Sequence, residues 1–261
     1  VTISNEQYHA DPAVSASHLK AVMQSPYHYW SRYVDPNRSP VEPTAAMKLG
    51  SLAHCAILEP DELLNRYGIC APRNTKAGKE QAAAMEAEGI EVVTSSDMAL
   101  AMGMSAAVRN HRATSQLLAK GKAEQSFWWD DLPTGMRCKC RPDWYYGSTV
   151  VDIKTTTDAS PQAFARSVAT FAYHVQAAHY LAGLHGAERF VFVAVEKTYP
   201  HAVAVYELDA VSMALGRTMR DNALDVIAGC QAANVWPGYS DTVQTISLPK
   251  WATNPIETET F

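Results

Sequence analysis

The chain has 261 residues, 47% of them hydrophobic and 19% charged, a balance that builds a folded core and excludes a disordered tail or a coiled coil as the whole account. Twenty-two Lys and Arg against 27 Asp and Glu leave a net charge of −5. That excludes a uniformly basic coat for nucleic acid or membrane, and leaves room for a local basic channel or for metal ions that bridge carboxylates to phosphates.

In chain order, Ser17 reads as the N-cap of a helix through Leu19, Val22 and Met23 that stops or restarts near Pro26, before the aromatic cluster Tyr27, Tyr29, Trp30 and Tyr33. Residues 35–43 form a polar turn with three prolines, and Thr44 caps a second helix that carries Leu49, Leu52, His54 and Ile57. Residues 72–91 are rich in Ala, Lys and Glu and read as a loop followed by a short helix. Residues 98–118 read as a helix, and the character changes at Gly121. Three strands are expected over 123–129, 136–145 and 150–153, joined by short turns and therefore an antiparallel meander. A long helix over 161–184, strands over 190–195 and 201–208, and a closing helix through Leu215, Met219, Val226, Ile227 and Cys230 complete the pattern. No Gly-Ser or charged linker interrupts the chain after Gly121. The expectation is one α/β domain over 1–261, with a mainly helical portion 1–120, a catalytic core 121–235 and a tail 236–261, whose stretch 240–261 wraps the surface or enters a subunit contact.

The five cysteines, Cys55, Cys70, Cys138, Cys140 and Cys230, are odd in number and scattered, which fits a reducing compartment. Residues 1–12 lack a basic segment followed by an apolar one, and no apolar run approaches the roughly 18 residues of a membrane span. A soluble, cytoplasmic protein without a membrane partner is expected, and the missing initiating Met reads as the start of an excised domain. Cys138-x-Cys140 lacks the further ligands of a structural zinc site. Neither a G-x-x-x-x-G-K-[ST] phosphate loop nor a G-x-S-x-G nucleophile elbow occurs.

The informative segment is Arg141-Pro142-Asp143-Trp144 followed across a tight turn by Val151-Asp152-Ile153-Lys154-Thr155. Side chains alternate along a strand, so Asp152 and Lys154 share one face while Ile153 points into the opposite layer. If Asp143-Trp144-Tyr145 pairs with Thr149-Val150-Val151, a second carboxylate joins them. Two carboxylates so placed raise one another's pKa unless a hard divalent cation lies between them. Such a group suits phosphodiester hydrolysis, although the spacing alone also fits a surface ion pair.

Asp143 and, nine positions later across the hairpin, Asp152-Ile153-Lys154 resemble the signature of the PD-(D/E)XK nucleases, in which two acids bind metal and a lysine serves the attacking water. With His54 in Gly50-Ser51-Leu52-Ala53-His54, Glu124 on the first strand, and Gln176 with Tyr180 in a Gln-x-x-x-Tyr element, the chain is similar to the RecB-like branch. Over nearly its whole length it resembles the nuclease domains of the exonuclease VIII (RecE) type.

The resemblance implies an α/β restriction-endonuclease-like fold, a mixed-sheet core flanked by helices with N-terminal helical additions. It implies Mg²⁺, with Mn²⁺ as a substitute, held by His54, Asp143, Asp152 and the Ile153 carbonyl. Lys154 would serve water, Glu124 would be an accessory acid, and Gln176 and Tyr180 would contact DNA near the site. It further implies 5′ to 3′ degradation of one strand of linear double-stranded DNA to mononucleotides, leaving a 3′ single-stranded end, by a toroidal homotetramer that works with a single-strand annealing recombinase. A structure-selective endonuclease of this fold and a non-catalytic DNA-binding module are the alternatives. Each residue has a plainer reading too: His54 as a packed helix residue, Glu124 as a strand-edge charge and Lys154 as half of a surface pair. Arg137, Lys139 and Arg141 on one strand face, and Lys76, Lys79, Arg109 and Arg112, are further phosphate-contact candidates or solvated charges.

Overall fold

The computed structural model describes residues 3–39 and 42–249. The N-terminal part is helical: α1 (Asn5–Ala10), α2 (Ala16–Gln24), α3 (Pro26–Tyr29) running into a π-helical turn, α4 (Ala45–Leu58), α5 (Leu63–Arg66), α6 (Lys76–Ala87), α7 (Ser95–Asn110) and α8 (Arg112–Leu117). Two short strands among them, β1 (Tyr67–Ile69) and β2 (Glu91–Val93), pair in parallel. Thr44 caps α4 as expected, accepting from the Met47 N–H. The cap of α2 is Ser15 and not Ser17, because the Ser15 backbone N–H and hydroxyl both meet His18 Nδ1. The helix expected over 98–118 breaks at His111, whose extended backbone separates α7 from α8.

The second half carries β3 (Lys122–Ala123), β4 (Phe127–Asp131), β5 (Met136–Cys140), β6 (Trp144–Tyr146), β7 (Thr149–Thr156), α9 (Pro161–Thr170), α10 (Tyr173–Gly183), β8 (Arg189–Glu196), β9 (Val203–Glu207) and α11 (Ala210–Ala233). A five-stranded mixed sheet has the order β3-β6-β7-β8-β9, with β7 and β8 parallel and the other pairs antiparallel. The parallel pair needs a crossover, which α9 and α10 supply. Gly147 takes a φ of +58° in the two-residue β6–β7 turn, the backbone that a primed hairpin turn requires at its first central position.

The expected three-strand meander is corrected. Residues 123–129 and 136–145 are each broken in the middle, so β4 and β5 form a hairpin of their own while β3 and β6 join the main sheet. Glu124 sits at the first break with a φ of +50°, a left-handed backbone that cannot continue a strand. Pro142, which has no N–H to give to a ladder, sits at the second. The backbone N–H of Glu124 donates to the Asp143 carbonyl, so the two breaks face one another.

Two apolar layers flank the sheet. Val150, Phe190, Phe192 and Ala194 pack with α2, α9, α10 and α11, whereas Val151, Ile153, Val193 and Val195 pack with α4 and α7. Period-two alternation of β7 and β8 thus feeds both cores. The helix expected over 161–184 is two, because Ala172 adopts a φ of +51° and re-aims α10 across the sheet. Of the stretch 240–261 expected to wrap the surface or enter a subunit contact, residues 240–249 are irregular and exposed, and 250–261 lie outside the described residues. Among the described residues, no helix is long and apolar enough to cross a membrane, and all five cysteines are free thiols.

Candidate active site

The site forms where β6 parts from β7. The last ladder pair on this side is Trp144 with Val151, so Asp143 lies just beyond the hairpin and not in it, and its Oδ2 accepts the Ile153 N–H at 2.6 Å. The N–H and C=O of one strand residue point to the same edge. The Ile153 carbonyl therefore faces the gap that Asp143 occupies. From the helical layer on one side, α4 delivers His54, with Nδ1 3.4 Å from Asp143 Oδ2. Glu124, placed by its left-handed backbone just after β3 and not on a strand, completes a group in which one ligand atom each from His54, Glu124 and Asp143 lies within 4.8 Å of the others.

On the opposite face of β7, Lys154 Nζ stands 2.5 Å from Asp152 Oδ2. Gln176 of α10 links the pair, its Nε2 donating to Asp152 Oδ1 at 2.7 Å and its Oε1 accepting from Lys154 Nζ at 3.2 Å. The kink at Ala172 is what aims Gln176 here. The Lys154 ammonium also lies 4.6 Å from the centroid of the Tyr173 ring.

The electrostatics around the acids are those of crowded, buried carboxyls. Burial, reinforced by the Asp143 carboxylate, pushes Glu124 up to about 8. Burial also lifts the Asp143 carboxyl; His54 pulls it back and Asp152 adds to the rise. Burial alone would depress the Lys154 ammonium, but Asp152 and Asp143 more than offset it and hold the group above its ordinary value. Asp152 Oδ2, buried and close to Lys154, accepts no well-directed hydrogen bond. Carboxylate oxygens, one imidazole and a strand carbonyl fit a hard divalent cation. The cation would supply the charge that these acids lack.

The other candidate side chains are engaged within the protein. Tyr180 is buried and its hydroxyl donates to the Arg141 carbonyl at 3.2 Å, and Gln176 is buried and engaged by Asp152 and Lys154. Both side chains are turned toward the protein's own groups around the site. Lys139 is buried, with its ammonium on the Tyr8 and Asp11 carbonyls, so it is no phosphate contact. Arg137 pairs with Asp130, and Arg109 donates to the Ala56 and Ile57 carbonyls at the end of α4. Arg141 bonds Ser126 and the Ile3 carbonyl and joins His9, Arg66, His54 and Glu124 around an open cleft of about 560 Å³.

One neighbour of the site escaped the sequence reading altogether. Lys20 of α2 lies 5.2 Å from the same Tyr173 ring that Lys154 faces. No spacing signal could have linked it to β7, because only the packing of α2 on α10 brings them together.

This arrangement has relatives. The PDDEXK-like domain of unknown function (DUF3799) matches residues 15–249, most of the chain. The chain belongs to this PDDEXK-like family. No curated protein matches it in sequence. A crystal structure from Eubacterium rectale, whose exonuclease name is provisional, superposes with a TM-score of 0.67 at 14% identity, over 98% of this chain and 100% of that one. A phage-related exonuclease from Haemophilus somnus 129PT aligns over 85% of this chain and 96% of its own at 9% identity, with a TM-score of 0.38. The PDDEXK-like assignment accounts for the mixed sheet with helices on both faces and makes the chain nuclease-like, and His54, Glu124 and Asp143 lie close enough together to hold a metal ion.

Proposed function

We propose that this chain is a Mg²⁺-dependent exodeoxyribonuclease that degrades one strand of linear duplex DNA from 5′ to 3′ and leaves a 3′ single-stranded end for recombination. The observation that carries the hydrolytic part is the gathering of His54, Glu124 and Asp143 beside the Asp152–Lys154 pair at one strand edge. Polarity, the toroidal homotetramer and the annealing recombinase as partner are supported by the motif resemblance to exonuclease VIII-type domains.

His54 Nδ1, Asp143, Asp152 and the Ile153 carbonyl are the groups that would hold Mg²⁺ or Mn²⁺, with Glu124 beside them. When bound, the ion supplies Lewis acidity at a phosphoryl oxygen and lowers the pKa of water. Lys154, kept as an ammonium by its two acids, donates to the attacking water and orients it. Gln176 holds Asp152 and Lys154 in register by bonding both. Tyr180 fixes the Arg141-Pro142-Asp143 segment from behind.

A time course on linear duplex labelled at either end tests the reading. Early release of the 5′ label as mononucleotide, late loss of the 3′ label and an untouched covalently closed circle are expected. Cutting of the closed circle would make the protein an endonuclease, and prompt loss of the 3′ label would reverse the polarity.

A further inference from the structure

Lys20 projects from α2 toward the catalytic face. Its ammonium and that of Lys154 lie 5.2 and 4.6 Å from the centroid of one ring, that of Tyr173. An aromatic face attracts ammonium groups without neutralising them. Lys20 is half-buried, and among the described residues it forms neither an ion pair nor a hydrogen bond. Asp152, whose charge reaches it, is already engaged by Lys154 at 2.5 Å and by Gln176 at 2.7 Å. Burial first, and then the like charge of Lys154, push the Lys20 ammonium down to about 8.

A partly desolvated cation set beside a second cation, with no anion against it, opposes folding unless something else compensates it. Among the described residues, neither a carboxylate nor a carbonyl is bonded to the Lys20 ammonium. Its stem is anchored by α2 and its head opens toward the Asp152–Lys154 edge. We infer that Lys20 is a substrate-binding residue that holds a non-bridging oxygen of the DNA phosphate lying beside Lys154. This rests on the nuclease reading above for the identity of the anion. It adds to the site a cation from the N-terminal helices, which the strand motif does not contain.

The test uses the full chain, a short 5′-phosphorylated linear duplex and the variants Lys20→Met, which keeps the stem, and Lys20→Arg, which keeps the charge. Lys20→Gln serves the same comparison if the thioether is not tolerated. Duplex affinity is measured in Ca²⁺ over a range of salt. Loss of one phosphate contact should reduce the slope of log affinity against log salt by about 0.9. With Mg²⁺, the single-turnover cleavage rate of Lys20→Met should fall about tenfold or more, as expected for removal of a hydrogen bond to a charged group. Lys20→Arg should retain the slope and recover part of the rate. A purely structural lysine would change the thermal midpoint and leave the slope alone. A wild-type slope in folded Lys20→Met overturns the inference whatever its rate, and a reduced slope with a wild-type rate overturns the placement at the cleaved phosphate. If the unaltered protein binds duplex but releases no nucleotide with Mg²⁺ or Mn²⁺, the nuclease reading fails, while the slope still decides the phosphate contact.

Discussion

Asp152 joins two partners in the site: Oδ1 accepts from Gln176, and Oδ2 faces Lys154 without a directed hydrogen bond. Asp152→Asn keeps the shape but removes the counter-charge of Lys154 and an oxygen proposed as a metal ligand. Mg²⁺-supported cleavage should fall by about 100-fold or more while the circular dichroism spectrum is kept, a magnitude in line with loss of a single group that stabilises transition-state charge. Lys154→Ala asks a different question, because both carboxylates remain. Single-turnover cleavage should drop by roughly 10²- to 10⁴-fold, the usual contribution of a positioned proton-handling group, with Ca²⁺-supported DNA binding retained. A wild-type rate in that variant would remove Lys154 from the catalytic set.

At the scale of elements, α10 is the part on which the site depends, since it carries Gln176 and Tyr180 and is braced by α11. Gly216 of α11 lies so close to α10 that an added Cβ would overlap the His174 carbonyl oxygen. Backbone cannot swing aside as a flexible side chain can. Gly216→Ala should therefore destabilise the protein by about 1–3 kcal/mol, the usual range for overpacking a tight contact, read from urea midpoints. The same helix buries His179, whose Nε2–H donates to the Lys139 carbonyl and whose ring packs on Trp129. Burial, then Arg220, lower its pKa to about 4. A depressed imidazole is neutral in the folded chain while the unfolded chain takes up the proton. Its contribution is therefore complete above the unfolded value of about 6.5 and is lost as pH falls from there toward about 4. Unfolding titrations between those limits should show a loss of ~3 kcal/mol from this group. His179→Gln should flatten that slope; an unchanged slope would show that His179 is not its source.

For the whole molecule, the acids at the sheet edge link metal binding to stability. Any ion that binds only the folded state stabilises it by mass action, by ~2.7 kcal/mol at a hundred times its dissociation constant. Mg²⁺ or Ca²⁺ should raise the melting temperature in a concentration-dependent way that EDTA reverses. In Asp143→Asn, which also weakens the tie between β7 and the β6 approach through the Ile153 N–H, most of that gain should vanish. Equal metal-induced shifts in the two proteins would separate Asp143 from the ion. A net charge of −5 means that DNA must be met by a local basic surface and not by the average field. Light scattering of the full chain should give the mass of a homotetramer, and a monomer would withdraw the toroid.

What could be read from the chain itself was local. Alternation in Val150-Val151-Asp152-Ile153-Lys154 placed Asp152 and Lys154 on one face, Thr44 announced α4 with His54 upon it, and the spacing of Gln176 and Tyr180 put both on one helical stripe. Period and capping are properties of a few neighbouring residues, so they survive without knowledge of the fold. Tertiary structure alone decided where the strands part. The expected meander splits at Glu124 and at Pro142-Asp143, and that split opens the gap in which the acids meet. It also buried Lys139, kinked the helix at Ala172 and set Lys20 beside Lys154. Propensity says which residues prefer extension, but the end of a ladder is set by what packs on either side of it, here α10 against one face and α4 against the other.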